Sequence, residues 1–557
     1  MRELAASERL NRWGHAGLLA LALLLLLGML LRNVGQPLLD RHSWRQVDTA
    51  SFARGLARGE FDLFHPRFLA YYPDAYGIDG ATETEFNLYP LLVAGLYKLL
   101  GIDEVVARLV SIAFSLGTAA WVYLMGRQYL NHRAALLAVL FMGLSPLYVY
   151  YGRNVQPDAT ALFFAVGCLY LFGRWLERVG WAFYAATALC GALAFLTKIS
   201  LLFMGLPLLA LAYARYRGRT WREWRLWALA LAMLLPVGLY YRHAHSLYQQ
   251  TGLTVYGIGG GWPGSGKFDT LGQLLSDEFY RAMFARLRGP ILGRYGLALL
   301  LLGLLIRPQR RELPLYAWLA AAGLFVLGVA QGNRQHEYYQ LPLVPVAALF
   351  IGKALDALLN PETLRLDLLL VRRRVGMVLS ALLLLLHARG IESYLAPMYT
   401  QARVLLDVAQ ATQAWSPAGG AIVIMHDWAR VPEVFYYADR RGWSLWLERT
   451  PAGEYGRLIV AERQMTPDGW RVVERLESDI ARLEMLRSLG ATRLVVSLER
   501  GTAVEFLRSP IGQMLSARYP LLASEEHWII YDVQGAGANL GLSPAEECAM
   551  PLGGSHV

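Results

Sequence analysis

The sequence predicts an α-helical protein that crosses a membrane about eleven times and carries an α/β domain at its C-terminal end. Of its 557 residues, 55% are hydrophobic and only 17% are charged, whereas an average soluble protein has about 25% charged residues. The apolar residues form separate blocks roughly 16 to 22 residues long, enough to span a bilayer core about 30 Å thick. Arginines concentrate in short segments between these blocks, a distribution typical of cytoplasmic loops.

The first apolar block runs from Leu18 to Leu31. It follows Arg2, Arg9 and Arg12 and so resembles a signal peptide in charge pattern. No small-residue cleavage site precedes the polar stretch that follows it, and many apolar blocks come later. We therefore expect an uncleaved first helix over residues 15–33, with a cytoplasmic N-terminus.

Ten further blocks predict the remaining spans. Their ranges are 105–125, 134–150, 158–173, 181–197, 199–214, 226–242, 290–306, 313–330, 340–357 and 375–389. Block 88–100 is too short to span and predicts a helix lying at the membrane interface. With this choice, every dense arginine cluster between helices falls on the cytoplasmic side. Counting the block as a span would place Arg127 and all later clusters on the opposite side.

The long polar segments then face away from the cytoplasm. They include the first outer loop, residues 34–104, which we expect to carry interfacial helices. Residues 391–557 contain strand-like runs, such as Arg493 to Ser497, separated by amphipathic helical stretches. The sequence thus predicts a transmembrane domain over 1–390 and an extracytoplasmic α/β domain over 391–557. The net charge of +10 lies largely in the arginine loops, which favours contact with membrane lipids and excludes nucleic-acid binding.

Ionisable and aromatic residues are dense in the outer segments. In the first loop, the pattern from Asp48 onward is typical of an amphipathic helix with Asp48 near its N-terminus, and Trp44 and Arg45 precede it. Asp48 is either a functional carboxylate or an N-cap of that helix. Glu85 precedes the interfacial helix and is either functional or a carboxylate favoured by the helix dipole.

Later outer segments add further candidates. Arg153 and Asp158 flank the start of an apolar helix, where ionisable groups are costly. Lys198 is a single charge in an apolar run, and its alternative role is to snorkel to the interface. The last cluster contains Arg334, His336, Tyr338 and Tyr339. The predicted topology brings all these residues to one face, where a carboxylate can accept a hydroxyl proton, a cation can bind phosphate and aromatic rings can stack on sugars.

A divalent metal is a further hypothesis. Glu85 with His243 or His245 would supply oxygen and nitrogen ligands suited to zinc or manganese. The two histidines are two residues apart, so on a helix they diverge and at most one takes part. Interfacial histidines without a metal are the alternative.

Two further motifs have simpler explanations. Residues 261–268 have the spacing of a phosphate-binding P-loop, but Phe268 stands where a hydroxyl residue should follow the lysine. Asp427 follows a strand-like run, with no catalytic partner evident in the sequence. The cysteines, Cys168, Cys190 and Cys548, lack the spacing of a zinc knuckle or a disulfide framework.

In their order and sidedness, these motifs resemble the GT-C superfamily of membrane glycosyltransferases. Within it, the chain is similar to the protein O-mannosyltransferase and aminoarabinose transferase families. The similar segments, within roughly residues 10 to 390, are 44–50, 85–90, 107–109, 145–153, 157–159 and 337–342. The chain departs from the pattern at Thr49, where many relatives have a second acid, and at Phe86, where aminoarabinose transferases have a lysine.

The resemblance implies a GT-C fold and transfer of a sugar from a polyprenyl-phosphate donor, usually with inversion. The acceptor would be a hydroxyl or phosphate on a glycan, lipid or protein. Asp48 would be the catalytic carboxylate, Asp158 a second acid at the site, and Glu85 an acid that helps to hold a metal. The predicted contacts to donor phosphate are Arg153, Lys198, Arg334 and Tyr338. The predicted substrate contacts are Trp44, Arg45, His336 and Tyr339.

On this interpretation the protein lies in a bacterial inner membrane with its C-terminal domain in the periplasm. A transporter or lipid flippase is one alternative, but it predicts charges buried in mid-span and an inverted repeat, and the sequence shows neither. A membrane-anchored assembly protein is another. It predicts that Asp48→Asn has no effect whereas deletion of residues 391–557 does.

Overall fold

The computed structural model describes residues 2–71, 80–254, 270–359, 373–427, 431–449, 455–466, 469–477 and 479–535. The chain divides into two compact units. The first comprises Met1–Arg67, Gly80–Gln401 and Met465–Arg471, and the second Phe68–Asp79, Ala402–Gln464 and Val472–Val557. The P-loop-like segment 261–268 and Cys548 lie outside the described residues.

The first unit is helical. Its α-helices, in chain order, are α1 (Arg2–Leu30), α2 (Ser43–Arg58), α3 (Leu88–Leu100), α4 (Glu104–Tyr129), α5 (His132–Met142), α6 (Pro146–Tyr151), α7 (Asp158–Arg178), α8 (Trp181–Thr197), α9 (Gly205–Tyr216), α10 (Trp224–Thr251), α11 (Thr270–Leu274), α12 (Asp277–Arg286), α13 (Gly293–Leu305), α14 (Leu313–Gly328), α15 (Ala330–Gln335), α16 (Leu343–Leu359) and α17 (Arg373–Leu395). Short 3₁₀ segments join several of them, including Ile199–Met204, Arg217–Arg222, Arg310–Glu312, Glu337–Gln340 and Ala396–Tyr399.

Each predicted span coincides largely with helical structure, but several are interrupted, among them 134–150, 199–214 and 290–306. The span predicted over 134–150 consists of α5 and α6, because Ser145 caps α6 with its side chain and Pro146 occupies the first turn. The span predicted over 199–214 consists of the 3₁₀ segment Ile199–Met204 followed by α9. These breaks show that apolar composition alone does not define a continuous helix.

The helices have the length and composition expected of an integral membrane protein. Among the described residues, five helical segments are long and apolar enough to cross a bilayer. A sixth candidate is the pair Asp277–Ile291 and Gly293–Leu305, which is bent by 99°. Shorter apolar helices include α3, α5 and α8, so the number of eleven spans stays a prediction. In α3, Leu99 and Leu100 are exposed whereas Tyr89 and Val93 are buried, as an interfacial helix requires.

Helix α16 lies at the centre of the first unit, and its residues from Val344 to Ala357 are buried. It packs against α5 and α13. Two glycines permit this close packing: a Cβ at Gly352 would overlap the carbonyl oxygen of Ala134 on α5, and one at Gly303 would overlap that of Phe350. Small residues at such crossings let membrane helices approach one another closely.

Within the described residues, the second unit contains a mixed sheet of eight strands. The strands are β1 (Ala70–Tyr71), β2 (Ala421–His426), β3 (Arg441–Arg449), β4 (Tyr455–Thr466), β5 (Gly469–Glu477), β6 (Ala491–Ser497), β7 (Leu521–Glu525) and β8 (Trp528–Asp532). Their order is β5-β4-β3-β2-β6-β8-β7, with β1 beside β3. Strand β2 is parallel to both β3 and β6. The helices are α18 (Val404–Trp415), α19 (Pro432–Ala438), α20 (Asp479–Ser488), α21 (Ala503–Arg508) and α22 (Pro510–Arg518).

Strand β1 comes from the loop between α2 and α3, and pairs in parallel with β3. The chain therefore leaves the first unit, contributes two sheet residues to the second and returns. The C-terminal α/β region was predicted from the sequence, but this insertion was not.

Candidate active site

Helix α2 carries three of the predicted site residues. It begins at Ser43, after His42 in a left-handed conformation (φ 57°), so Asp48 lies in its second turn and is not its N-cap. Asp48 is only 2% exposed, and Arg45 is also buried. Burying ionisable groups is costly unless they are paired, so this concentration indicates a polar interior built around α2.

A buried network fixes the start of α2. Asp40 accepts hydrogen bonds from Gln46 Nε2 at 2.5 Å and from Arg153 Nη2 at 2.5 Å. The Asp40 and Arg153 side chains are fully buried, and the guanidinium also stacks on the Tyr399 ring at 4.6 Å. The structure therefore places Arg153, a predicted phosphate contact, in an ion pair that joins α2 to the segment before α7.

Arg108 anchors the beginning of the same loop. This fully buried side chain on α4 donates to the backbone carbonyls of Val34, Gln36 and Pro37. The contacts explain why an arginine is required at the second position of the 107–109 motif. Its role is to hold the loop in place.

Arg45 joins α2 to the predicted acidic position before α3. Its Nη2 lies 2.7 Å from Glu85 Oε2, and both side chains are largely buried. The Tyr240 hydroxyl on α10 donates to the carbonyls of Thr84 and Glu85, at 3.1 and 3.2 Å. Glu85 is thus held by α10 and paired with a cation.

Lys198 and Asp158 form a third buried ion pair through Nζ and Oδ1. Asp158 is the first residue of α7, and Lys198 is the C-cap residue that follows α8. The Lys198 ammonium lies over the rings of Tyr338 and Tyr339, at 5.0 and 5.3 Å from their centroids. These four residues line a narrow cleft, so Lys198 is enclosed by a carboxylate and two aromatic rings and does not snorkel freely.

Aromatic side chains cover the neighbouring surface. The His336 ring stacks on Tyr338 at 5.2 Å and lies 6.0 Å from Trp44. His42 meets Tyr338 edge-on at 5.3 Å. Burial lowers the pKa of His42 to about 4, although Glu337 opposes this effect, so its imidazole is neutral at pH 7. Burial also raises the pKa of Tyr338 well above its ordinary value, so this phenol remains a donor.

Glu337 is a buried acid that was not predicted as a site residue. It pairs with Arg41 and accepts a hydrogen bond from the Tyr151 hydroxyl at 2.8 Å. The signal was present, because Glu337 opens the motif 337–342. It was overlooked because an acid beside two tyrosines gives no indication of a partner almost 300 residues earlier in the chain.

The structure separates two groups of predicted residues from this cluster. Arg334 is bound by Glu278 at 2.8 Å and by Gln273 at 3.0 Å, and its partners lie on α12 and α11. His243 Nε2 contacts the carbonyl of Phe64 at 2.9 Å, and His245 lies 3.6 Å from Glu83.

The three predicted metal ligands therefore have different partners, since Glu85 is paired with Arg45. Within the described part of the chain, no group of three or more histidine, cysteine or acidic side chains is arranged to hold a metal ion. In these positions, Glu85, His243 and His245 are not arranged to bind one metal ion together.

Asp427, at the end of β2 in the second unit, has a backbone partner instead of a catalytic one. Its two carboxylate oxygens accept hydrogen bonds from the amides of Glu499 and Arg500, at 3.0 and 2.9 Å. His426 is buried and contacts the Ser497 carbonyl at 2.8 Å. Asp427 therefore organises the loop that follows β6.

Comparisons with known proteins extend these observations. A family model described as dolichyl-phosphate-mannose-protein mannosyltransferase matches residues 87–241. No curated protein sequence is significantly similar to the chain. The matched region includes α3 to α9 and most of α10, and within it lie Asp158, Lys198 and Tyr240, the tyrosine that holds Glu85.

Solved structures share the fold along nearly the whole chain. Apo ArnT from Cupriavidus metallidurans is 14% identical, with a TM-score of 0.58, covering 95% of this chain and 100% of ArnT. The undecaprenyl-phosphate complex of that protein is 12% identical, with a TM-score of 0.53, and the match covers 94% of this chain and 99% of ArnT. A third similar structure is archaeal oligosaccharyltransferase AglB from Archaeoglobus fulgidus, in complex with an inhibitory peptide and a dolichol-phosphate. It is 12% identical, with a TM-score of 0.54, and the match covers 92% of this chain and 73% of AglB. The family match is limited to residues 87–241, and the solved structures show that this chain shares the fold of ArnT and AglB.

Proposed function

We propose that this chain transfers a sugar from a polyprenyl-phosphate donor to an acceptor on the non-cytoplasmic face, with inversion. The observation that carries the proposal is the Lys198–Asp158 pair in a cleft lined by Tyr338 and Tyr339. A cation and a phenol can bind phosphate there, and aromatic rings can contact a sugar. The similar structures that contain undecaprenyl phosphate and dolichol-phosphate support a polyprenyl donor.

Asp48 is the general base in this proposal. Its carboxylate takes the proton from the acceptor hydroxyl as that oxygen attacks the anomeric carbon on the face opposite the phosphate. The new bond joins the acceptor oxygen to the sugar, and the bond between the anomeric carbon and the phosphate oxygen breaks. Polyprenyl phosphate leaves with the bonding electrons, and the proton passes from Asp48 to solvent.

The positive side chains stabilise the leaving phosphate. The charges of Glu85 and Asp158 both act on Arg45, and Asp158 also pairs with Lys198, so the two cations share one electrostatic environment. Preorganised charges of this kind stabilise charge that develops in the transition state. Asp158 orients the Lys198 ammonium. Trp44, His336 and Tyr339 form the substrate-contacting surface.

Two predicted phosphate contacts are reassigned in this proposal. Arg153 is a structural residue, because its guanidinium is fully buried against Asp40. Arg334 binds Glu278 and Gln273, outside the cluster, and is not assigned a phosphate contact. A metal hypothesis requires Glu85 to leave Arg45, and no step of the proposed reaction uses a metal.

The proposed setting is a bacterial inner membrane, with the N-terminus in the cytoplasm and the second unit in the periplasm. Its support is the arginine distribution, which follows the positive-inside rule. The acceptor class, glycan, lipid or protein, is left open by the site.

The proposal is tested by Asp48→Asn in membranes supplied with radiolabelled polyprenyl-phosphate sugars. We expect one donor to be consumed by the wild type and transfer to fall at least about 100-fold in the variant, the lower end of the usual contribution of a general base. Asp62→Asn is the matched control, since Asp62 is an exposed acid of the same loop. Full activity of Asp48→Asn would contradict the catalytic assignment, and consumption of no donor by the wild type would contradict the proposed donor class.

A further inference from the structure

A cavity of about 250 Å³ lies in the first unit, between the start of α13 and the last turns of α17. It forms where the chain bends by 99° before α13. Gly293 has a φ of 65° and lies against His387, and Gly289 lies against Tyr394. A side chain at either glycine would overlap these rings, so the bend and the cavity depend on both.

The cavity has a mixed polar and apolar lining and carries a positive charge. Its lining includes Arg294, Tyr295, Ser393 and Tyr394, and no acidic side chain. Arg294 is exposed and makes no ion pair or hydrogen bond with the described residues. Arg45 and Arg153, by contrast, each have an acidic partner. An arginine without a counter-ion in such a cavity favours an anionic ligand, and its planar fork suits phosphate.

His387 makes the cavity more selective. Its ring is buried, stacks on Phe141 at 5.2 Å and approaches the Leu144 carbonyl through Nε2 at 3.0 Å. A carbonyl only accepts hydrogen bonds, so Nε2 carries the proton and Nδ1 keeps its lone pair. Nδ1 makes no hydrogen bond within the described ranges. A singly protonated phosphate monoester offers anionic oxygens to Arg294 and an O–H to Nδ1, whereas a diester has no O–H to donate.

The cavity lies at the same end of the helical unit as the ion-pair cluster. Pro146 contributes to its wall and starts α6, and Tyr151, the last residue of α6, donates to Glu337. Six helical residues span roughly 8 Å, so the two sites are neighbours without shared residues. Leu382 and Leu385 precede the cavity-lining residues of α17 and are exposed. Together they form an apolar surface suited to an isoprenoid chain.

We propose that this cavity is a second lipid site, which binds the phosphate monoester of a polyprenyl phosphate. The occupant's identity rests on the proposed function, since polyprenyl phosphate is the product of that reaction. In this role the cavity holds the spent carrier lipid beside the active site after the sugar has left it.

Native mass spectrometry of the full chain, titrated with undecaprenyl phosphate, tests this proposal. We expect the wild type to bind two equivalents. Arg294→Gln should weaken one of them at least tenfold, the loss expected for one charge-assisted contact. Lys198→Met should weaken the other. Arg307→Gln, an exposed arginine beyond the opposite end of α13, is the matched control and should bind like the wild type.

Three outcomes would overturn the proposal. The first is a single equivalent on the wild type, or two equivalents of unchanged affinity on Arg294→Gln. The second is equal binding of phosphatidylethanol, an anionic phosphodiester whose headgroup has no hydroxyl, at the Arg294-dependent site. The third is displacement by inorganic phosphate at equal concentration, which would indicate a site for free phosphate. Failure of the proposed function is separate: the wild type would transfer no sugar, and Lys198→Met would keep both equivalents.

Discussion

Lys198 and Asp158 are coupled, and the coupling gives different expectations for activity and stability. Lys198→Met leaves Asp158 buried without its cation, so both transfer activity and the melting temperature should fall. In the double variant Asp158→Asn/Lys198→Met no charge is left unpaired, so the melting temperature should recover while activity stays low, about 100-fold below wild type.

Thermal unfolding in detergent and the transfer assay measure the two effects. Lys98→Met, at an exposed lysine of α3, is the control and should change neither. A double variant that regained activity would show that the pair is only structural.

His42 gives a prediction about pH. Its folded-state pKa is about 4 because the ring is buried, below the ordinary value of about 6.5. Between these values the unfolded chain binds the proton and the folded chain does not, so stability falls as pH decreases from 6.5 to 4. Above pH 6.5 this residue contributes no pH dependence.

The acid-side loss should be on the order of 2 kcal/mol and smaller in His42→Gln, as measured by denaturant unfolding at pH 7 and pH 4.5. His65→Gln, at a half-exposed histidine, should retain the wild-type difference. An equal loss in His42→Gln would show that other groups are responsible.

Sequence reasoning could identify several site residues but not their partners. Asp48, Asp158 and Lys198 were evident because a charge beside apolar residues is costly. Pairings such as Arg45 with Glu85 or Asp40 with Arg153 depend on how distant segments pack, which periodicity does not encode. Because the sequence does not reveal the partner Asp40, Arg153 resembled a phosphate ligand, although its guanidinium is fully buried in an ion pair.

Among the elements, the crossing of α16 and α5 depends on Gly352. Gly352→Ala should separate the two helices and lower stability by about 1–3 kcal/mol, the usual cost of overpacking. Thermal unfolding in detergent measures this change. Gly323→Ala, on α14, is the matched control because nothing lies within 4 Å of the added methyl. It should be neutral or stabilising, since alanine favours a helix more than glycine does. Equal melting temperatures for both variants would contradict the assigned role of Gly352.

Helix positions were predictable because a long apolar block has few alternatives to a helix in a bilayer. The breaks were harder to predict. Pro146 marked one, but it also suits the first turn of a continuing helix. The 99° bend before α13 involves packing of Gly289 and Gly293 against α17, which no local pattern signals.

At the scale of the whole molecule, the arginine distribution predicts the orientation. Single cysteines at Arg219 and at Glu526, both exposed, should react differently with a membrane-impermeant maleimide applied to intact cells. We expect labelling at 526 when the outer membrane is permeabilised, and at 219 only after the inner membrane is lysed. Cys168 is buried, and a cysteine-free background is the control. The reverse pattern would contradict the proposed topology and place the sugar donor on the cytoplasmic side.

The sheet of the second unit shows why long-range topology escaped prediction. Its central strands were visible as runs of β-branched and aromatic residues, but β1 has only two residues. A segment that short has no periodicity, and its pairing with Gly442 and Trp443 spans more than 370 positions of sequence.

The pairing of β1 with β3 affects whether the N-terminal and C-terminal halves of the chain can fold separately. A truncation after Gln401 would remove β3 and leave the β1 segment with exposed backbone amides and carbonyls, in the loop that leads to Glu85. The C-terminal unit, expressed by itself, would lack the strand that the N-terminal half of the chain supplies. Neither half is thus a self-sufficient module, and loss of transfer activity on removal of the tail would not show that the tail contacts substrate.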